Sequence, residues 1–552
     1  MAKKTFTTEK VGAKGLSVGK VGVIGGAVIG VSVVAPAYTM TSGLGPTVSA
    51  AGLQTPAILL IGFIPMLLVL FGYRELNTAM PDSGTSFTWA SRAFGPWIGW
   101  MSGWGLIAAT VLVLSNLAAV ATDFFFILLA QITGNETLAA LPQENLPLNI
   151  VVTTIFVAAA CYIGYRGVEA TQIVQWVLVV FQLVALLWFS IAAIASATSG
   201  NAFDYTPVEP AWFNPAAIGD WSVLIAGVSL SIFMFWGWDT VITMNEEAKD
   251  PNRTPARAAM VTIVVIIALY LLVTCATLMW AGIGTGELGA GNPDNQESIF
   301  AVLAPHIMGP FAILMSIAIL TSSLASLQST MVSPARTLLA MGYYKALPPQ
   351  FAQVSRKYKS PAVATFWAAG ASIVFYVIMR LLSENALWDT ITALGMMVCF
   401  YYGATGLAAF WYFRKSWFSN FRNFCFRFLF PLLGGLALVG MFVQTAIDSM
   451  APSYGSGSAI FATQYDADGI AQDGLGLVFV LGVGVILLGV LIMAIMRFTH
   501  PDFFKGRTIM VSEYQADVAA GGVDVVTEDI ILSREKHGID EDDEATASSD
   551  RA

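Results

Sequence analysis

The chain carries little charge for its length. Of its 552 residues, 27 are Lys or Arg and 36 are Asp or Glu, so charged residues make up 11% of the composition. Soluble domains carry about 25%. Hydrophobic residues account for 56% of the chain, and the mean hydropathy is +0.70. This composition excludes a string of soluble domains and indicates one domain whose main solvent is the lipid bilayer.

Residues that carry most enzyme and metal chemistry are also scarce. The chain has three histidines and four cysteines, with no CxxC or His/Cys ligand spacing. It contains neither a Walker loop nor a nucleophile elbow. We therefore expect no enzyme, no ATP-driven pump, no metal centre, no cofactor and no nucleic-acid partner. The cysteines are predicted to be packing residues, at Cys161, Cys275, Cys399 and Cys425.

Apolar runs of helical length are abundant. A helix of about twenty residues crosses a hydrocarbon core of about 30 Å. Runs close to this length recur almost from end to end and predict an all-α integral membrane protein. The twelve predicted spans are 21–43, 56–73, 97–130, 149–165, 171–195, 221–245, 257–282, 300–332, 362–381, 387–411, 428–447 and 473–496.

Positive charge is divided unevenly between the connections. Lys and Arg stay on the cytoplasmic side of membrane proteins, and here they occupy every second connection, with Arg380 as the exception. Four connections contain neither residue: 131–148, 196–220, 283–299 and 447–472. This alternation predicts a multi-pass protein of the cytoplasmic (inner) membrane with both termini cytoplasmic. Those termini are a tail at 1–20 and an acidic, partly disordered tail at 498–552.

Two predicted helices contain residues that interrupt helical hydrogen bonding. In the first, Gly25 and Gly26 precede Pro36, and we expect the break at the two glycines. In the sixth, Gly237 lies between two tryptophans. A helix broken in mid-membrane exposes amides on one half and carbonyls on the other, which suits the two charges of a zwitterion. The alternative is that the glycines of the first helix only allow close packing.

Asp239 is the strongest single candidate for coupling. A carboxylate in mid-membrane costs roughly 2.5–3.5 kcal/mol on insertion scales, so a functional reason is expected. Asp239 either pairs with a cationic substrate amine or exchanges a proton during transport. The third alternative is a neutral side chain bonded to a helix carbonyl. Glu246 and Glu247, at the cytoplasmic end of the same helix, are expected to have at most a gating or structural role.

Several short motifs follow one another along residues 20–415. They are YREL (73–76), PDSGTSF (81–87), AFGP (93–96), GWMSGW (99–104), EAKDPNRTPAR (247–257), RTLLAMGYYKALP (336–348) and SP (360–361). Together and in this order, they resemble the motifs of the amino acid-polyamine-organocation (APC) superfamily.

The resemblance implies a secondary active transporter of LeuT-like fold that moves an amino acid or related amine by alternating access. It implies two inverted five-helix repeats (21–195 and 221–411), an external loop between them (196–220), and helices 11 and 12 (412–497). The implied substrate site lies between the two broken helices, with proton coupling or exchange through Asp239. Its residues are Ile29, Gly30, Val31, Ser32, Phe233, Trp236 and Gly237.

Two alternatives stay open. Thr321, Ser322 and Ser323 offer hydroxyls to sodium, a hard cation that prefers oxygen ligands, although such hydroxyls commonly bond back to their own helix. The fifth helix carries glutamines, Gln175 and Gln182 among them, where some proton-coupled relatives carry a lysine; this excludes coupling by that lysine. A non-transporting receptor or sensor is the second functional alternative. The substrate, symport or antiport, and the oligomeric state are left open.

Overall fold

The computed structural model describes residues 14–166, 169–219, 221–296, 298–382, 386–466 and 470–509. Most of the predicted N-terminal tail and the acidic tail from residue 510 onward lie outside the described residues. The described part is almost entirely helical, as the apolar runs predict.

The helices fall into three groups along the chain. The first group is α1 (Val23–Val34), α2 (Pro36–Ala51), α3 (Thr55–Ala79), α4 (Ser86–Phe94), α5 (Pro96–Thr133), α6 (Thr137–Glu144), α7 (Leu146–Tyr165) and α8 (Glu169–Thr198). The second group is α9 (Trp221–Met234), α10 (Thr240–Thr243), α11 (Thr254–Ala281), α12 (Ile299–Met308), α13 (Ala312–Thr330), α14 (Val332–Tyr343), α15 (Ala362–Leu382) and α16 (Ala386–Tyr412). The third group is α17 (Phe421–Asn423), α18 (Phe430–Asp448), α19 (Leu477–Phe479), α20 (Val485–Thr499) and α21 (Pro501–Phe504).

Shorter elements join these helices. Two π-helical segments, Phe424–Leu429 and Val480–Gly484, lead into α18 and α20. Strands β1 (Ala459–Ile460) and β2 (Leu475–Gly476) pair antiparallel. The 3₁₀ turns are Gly52–Gln54, Pro210–Phe213, Pro215–Ile218, Asn245–Glu247, Pro293–Asn295, Gly309–Phe311, Pro349–Ala352 and Arg414–Ser416.

Ten helical stretches in the described residues are long and apolar enough to cross a membrane. One of them, Val23–Ala79, has 57 residues. At 1.5 Å per residue it is about 85 Å long, so it must cross twice. The interrupted helix formed by α9 and α10 adds a further crossing, because α9 alone spans only about 21 Å. The total then matches the predicted twelve, and the number of crossings stays a prediction.

The predicted eighth span, 300–332, is not one continuous helix. Its first part is α12, which ends at Met308, and the next residue, Gly309, has a φ of 56°. Helix α13 follows and is continued by α14 as far as Tyr343. Hydropathy does not separate α12 from α13, because the residues on both sides of the turn are apolar.

The break in the first helix is at Ala35, and the predicted break at Gly25 and Gly26 is wrong. Both glycines lie inside α1, while Ala35 has φ 52° and ψ 65°. The cause is Pro36, which lacks an amide hydrogen and disfavours the α conformation in the residue before it. A Cβ on Gly26 would meet the Ala258 side chain at 2.9 Å. Gly26 therefore allows α1 to approach α11 closely.

The break in the sixth helix lies between α9 and α10, around Gly237, as predicted. Gly237 has a φ of 105°, a conformation that favours glycine. The amides of Phe235 and Trp236 bond to carbonyls three residues earlier, at 3.2 and 3.0 Å, so the α-helical pattern has already ended there. Five residues separate α9 from α10.

Burial places the broken helices next to the most buried helices of the bundle. The most apolar windows of α5 and α16 are 72% and 78% buried, whereas those of α18 and α20 are only 22% buried. Helices α5 and α16 are therefore central, and α18 and α20 face outward. Helix α1 packs on α11 and α13, and α2 packs on α9. The two breaks thus lie side by side, within reach of α13 and α16.

Candidate functional site

The α1 break presents carbonyls on one half and amides on the other. The Val33 carbonyl accepts a hydrogen bond from Ser326 Oγ at 2.7 Å, and the Val34 carbonyl accepts one from Thr39 Oγ1 at 2.5 Å. The first amides of α2 have no partner within the helix. One of them, Tyr38 N, lies 3.4 Å from Ser322 Oγ. The break is therefore supported from α13.

The predicted substrate-binding residues of the first helix, Ile29, Gly30, Val31 and Ser32, lie before this break. All four residues lie within α1, which runs without interruption to Val34. Gly30 packs against Thr262 of α11 rather than facing an open site. The exposed peptide groups begin three residues after Gly30, at Val33, because the proline and not the glycines ends the helix. The helix break therefore lies at residues 33–38, and the role of Ile29, Gly30, Val31 and Ser32 in substrate binding stays a prediction.

A buried polar network ties the end of α1 to α8 and α13. Ser32 Oγ donates to Gln175 Oε1, and it lies 3.2 Å from Ser329 Oγ. Gln175 Nε2 donates to Gln328 Oε1 at 3.0 Å and to the Ala325 carbonyl at 3.1 Å. Gln175 has no exposed surface. A neutral amide thus links three helices, and Ser32 is a member of this network.

The break in the sixth helix is held by two consecutive tyrosines of α16. Tyr402 OH donates to Asp239 Oδ1 at 2.7 Å, and Tyr401 OH lies 3.2 Å from Asp239 Oδ2. Trp236 Nε1 donates to Tyr401 OH at 2.6 Å. The amide of Gly237 is 3.4 Å from Tyr402 OH. Sequence reasoning missed both tyrosines, because a Tyr-Tyr pair inside an apolar span carries no local signal.

The predicted members of this half of the site do lie together. Phe233, in the last turn of α9, is 3% exposed, and its carbonyl accepts the Trp236 amide. Asp239 is 1% exposed. A Cβ on Gly237 would lie 2.7 Å from Cγ1 of Val33, which places the two breaks in direct contact. The roles assigned to Phe233, Trp236 and Gly237 in substrate binding stay predictions.

The three hydroxyls suggested for sodium do not converge. Thr321 Oγ1 donates to the Ile317 carbonyl at 2.7 Å, and Ser323 Oγ donates to the Ile319 carbonyl at 2.9 Å. Both are bonds within their own helix. Ser322 alone reaches another helix, through Gln182 of α8 and the Tyr38 amide.

A cavity approaches this region from the side of the segment before α1, whose Ser17 lines it. Its empty space is about 660 Å³, including open solvent at its mouth. Ile29, Gln175 and Ser329 line it near the break, and Glu247 and Arg336 line it farther out. Arg336 Nε donates to Glu247 Oε2 at 2.6 Å. Burial raises the pKa of Glu247, and the neighbouring Arg336 opposes that rise. A charged pair therefore lines the outer part of the cavity.

The segment before α1 closes the adjoining side of the bundle. Lys14 Nζ lies 2.7 Å from both Asp82 Oδ2 and Glu246 Oε1. Asp82 also accepts a hydrogen bond from Tyr344 OH at 2.7 Å. We call Lys14, Asp82, Glu246 and Tyr344 the N-terminal latch. Because the latch includes Glu246, a gating or structural role for that residue agrees with the geometry.

The charges of the latch stabilise one another. Burial alone would lower the pKa of Lys14, but the carboxylates of Asp82 and Glu246 raise it above its usual value. Burial alone would raise the pKa of Asp82, but Lys14 and its other hydrogen-bond donors lower it to about 2. Backbone bonds add to the closure, from Lys20 N to the Glu247 carbonyl at 2.8 Å and from Lys249 N to the Val21 carbonyl at 2.9 Å.

Comparison with known proteins places this geometry in a family. The amino acid permease family profile matches residues 18–463, most of the chain. The chain belongs to the amino acid permease family. This confirms the resemblance drawn from the motifs and makes the chain a multi-pass membrane transporter.

Relatives of this permease are similar at low identity over most of its length. The branched-chain amino acid permease BcaP of Lactococcus lactis is 25% identical over 72% of this chain and 82% of its own. The low-affinity putrescine importer PlaP of Escherichia coli is 24% identical over the same shares. The crystal structure of MhsT in complex with L-phenylalanine has a TM-score of 0.53 at 15% identity. The structural alignment covers 78% of this chain and 99% of the MhsT chain. The predicted LeuT-like fold class is thereby confirmed.

Proposed function

We propose that this permease carries an amino acid or a small amine across the cell membrane by alternating access, in proton symport or in exchange. The direct contact between the two helix breaks carries the proposal. At the α1 break, the amides at the start of α2 suit a carboxylate. Unwound carbonyls around Gly237 suit an ammonium group. The substrate then lies between residues 33–38 and 233–239.

Proton coupling is assigned to Asp239. Its hydrogen-bond donors are the neutral hydroxyls of Tyr401 and Tyr402. A carboxylate buried at this depth with neutral partners can accept and release a proton as the neighbouring break opens and closes. The sodium alternative is weaker, because Thr321 and Ser323 use their hydroxyls within their own helix.

The substrate class follows from the charge state of Asp239. The names of the relatives cover branched-chain amino acids and putrescine. An ionised Asp239 near the substrate favours a cation, whereas a protonated one admits a zwitterion. Each carboxylate oxygen of Asp239 already has a tyrosine hydroxyl as its partner, so we favour a zwitterionic amino acid.

The orientation follows from the distribution of Lys and Arg. The end of the bundle that carries the latch and the cavity is the basic one, and we assign it to the cytoplasm. The 660 Å³ cavity then opens toward the cytoplasm, as release of an imported substrate requires.

Uptake into proteoliposomes tests the proposal. Radiolabelled leucine, arginine and putrescine are offered separately, with an inward proton gradient, an inward sodium gradient, or neither. We expect leucine to accumulate with the proton gradient or to exchange against internal leucine. Binding without accumulation or exchange would identify a sensor, and strict dependence on the sodium gradient would overturn the proton role.

A further inference from the structure

The cavity beside α1 ends close to the first helix break. Ile29, Gln175 and Ser329 form its inner wall. Gln175 accepts a hydrogen bond from Ser32 Oγ, and Ser329 Oγ lies 3.2 Å from the same hydroxyl. Ser32 directly precedes Val33, where the exposed carbonyls begin. One layer of side chains therefore separates the cavity from the break, and a substrate that leaves the break inward meets the cavity next.

Lys359 contributes a positive charge to the cavity wall. It lies in the connection between α14 and α15, and its side chain is partly buried. Within the described residues, its ammonium group makes neither a hydrogen bond nor an ion pair. An ammonium group has three N–H donors. Those of Lys359 are therefore available to an anionic group inside the cavity.

The backbone holds Lys359 in a conformation that favours glycine. Its φ is 51°. The Lys359 amide donates to the Ser355 carbonyl at 2.9 Å, and the Ser355 amide donates to the Ser360 carbonyl at 2.8 Å. Ser360 Oγ donates to the Tyr165 carbonyl at 2.6 Å, which anchors the turn to α7. Backbone strain of this kind is concentrated at binding sites. A glycine would relieve it, so the lysine side chain requires a functional reason.

Glu247 contributes a negative charge to the same wall. Arg336 contacts only one of its carboxylate oxygens: Nε donates to Oε2 at 2.6 Å, and Nη2 contacts Oε2 as well. The other oxygen, Oε1, has no hydrogen-bond partner in the part of the chain that the structure describes. The Glu247 side chain is only 2% exposed. Because Glu247 lines the cavity, a donor for Oε1 can approach from there.

Apolar side chains complete the lining. They are Ile29, Met244, Met331 and Val332. The two methionines are flexible and fit side chains of different shape. A cavity that offers an ammonium group, a carboxylate oxygen and an apolar wall suits a zwitterion with an apolar side chain. A simple anion would be repelled by Glu247, and a diamine would be repelled by Lys359.

We propose that this cavity is a second binding site for the transported amino acid, and we call it the release site. Lys359 binds the substrate carboxylate, Glu247 Oε1 accepts a hydrogen bond from the substrate ammonium group, and the apolar wall contacts the side chain. The amino acid moves from the helix breaks past Gln175 and is held here before it enters the cytoplasm. This inference rests on the proposed function, because it takes the occupant to be the substrate.

Equilibrium dialysis with radiolabelled leucine tests the release site. The full-length wild type, purified in detergent, should bind two leucine molecules per chain, one at the breaks and one in the cavity. Lys359→Gln should weaken the second by at least about tenfold, because the carboxylate loses its cation. Lys359→Arg should restore it. Putrescine has no carboxylate, so its binding should be the same in wild type and Lys359→Gln.

Lys357→Gln is the matched control. Lys357 lies two residues before Lys359 in the same connection, is exposed and does not line the cavity. Its replacement should leave both leucine molecules bound. The Lys359 side chain has no hydrogen bond to lose among the described residues, so we expect Lys359→Gln to fold normally. An equal loss of leucine in both variants would reduce the effect to net charge and overturn the release site.

The remaining outcomes separate this proposal from the proposed function. One bound leucine in the wild type and in every variant, together with accumulation in proteoliposomes, would overturn the release site and leave the transport function standing. One bound leucine that Lys359→Gln removes, without accumulation or exchange, would retain the cavity as a binding site and overturn transport. A wild type that binds no leucine would overturn both.

Discussion

Gly237 packs directly against Val33, which leaves no room for a side chain at position 237. A Cβ on Gly237 would lie 2.7 Å from Val33 Cγ1 and 3.5 Å from the Val33 carbonyl carbon, and the φ of Gly237 is 105°. The two breaks are therefore packed directly against each other. We expect a shift of one break to displace the other, so that the two helices move as one unit.

Replacing Gly237 by alanine should uncouple this unit. The positive φ alone costs roughly 1–2 kcal/mol for a residue with a Cβ, and the clash with Val33 adds to it. We expect Gly237→Ala to reduce the uptake rate by more than about tenfold. Gly370→Ala is the control, because a Cβ there meets nothing within 4 Å. A Gly237→Ala protein that transports at the normal rate would show that the breaks move independently.

Removing the charge of Asp239 should abolish gradient-driven accumulation. Asn keeps the shape and can still accept from Tyr402, but it cannot carry a proton. We therefore expect Asp239→Asn to retain substrate exchange and to lose the response to an imposed pH gradient. Uptake is measured at several external pH values, with the exposed Asp502→Asn as control. Unchanged pH dependence and unchanged maximal rate would remove the proton role from Asp239.

The hydroxyls of α13 should differ in importance according to their partners. Ser326 donates to the Val33 carbonyl across the break, whereas Thr321 bonds only within its helix. Loss of a buried hydrogen-bond partner costs about 1–3 kcal/mol. We expect Ser326→Ala to slow uptake several-fold and Thr321→Val to leave it within about twofold. The reverse order, or a sodium dependence lost in Thr321→Val, would restore the sodium hypothesis.

Breaking the N-terminal latch should favour the conformation that is open to the cytoplasm. Removal of one member of a buried ion pair costs about 3–5 kcal/mol. We expect Lys14→Met to lower the midpoint of thermal unfolding and to increase labelling of cysteines introduced along the 660 Å³ cavity. Lys345→Met, at an exposed position, should do neither. Equal labelling of the two variants would mean that the latch does not control access.

The stability that the latch gives to the wild type should not vary between about pH 5 and 9. The pKa of Asp82 is lowered, so its stabilisation is complete above the unfolded value of 3.8 and is lost as the pH falls toward about 2. The pKa of Lys14 is raised, so its stabilisation is complete below 10.5. In Lys14→Met the buried Asp82 lacks this cation, so the thermal midpoint of the variant should fall further below that of the wild type as the pH rises. A difference in midpoint that shrinks as the pH rises would show that another group holds the latch.

The helices of this fold could be predicted from the sequence because they must cross a lipid bilayer. The position of the first helix break could not be predicted as easily, because it depends on which residue interrupts the helix. Apolar runs and the alternation of Lys and Arg indicate the helices directly, because lipid leaves few other solutions. The glycines of α1 misled the prediction, since glycine serves both as a breaker and as a packing residue. Pro36 is a less ambiguous signal, because a proline disfavours the α conformation in the residue before it.

The remaining errors concern contacts distant in sequence. Tyr401 and Tyr402 are more than 160 positions away from Asp239, and nothing local relates them to it. Lys14 looked like one of several lysines in a solvated tail, and only the fold reveals that it is buried between two carboxylates.

Helix α21 completes the same aromatic core that supports the latch. Phe503 has no exposed surface and stacks on Phe87 at 5.4 Å, and the Phe87 ring lies 6.3 Å from that of Tyr344. A version of the permease shortened for crystallisation should therefore keep the chain through Ile509. A cut before Pro501 would remove the Phe503 ring that packs on Phe87 and leave a cavity there, and we expect the latch to loosen as a result.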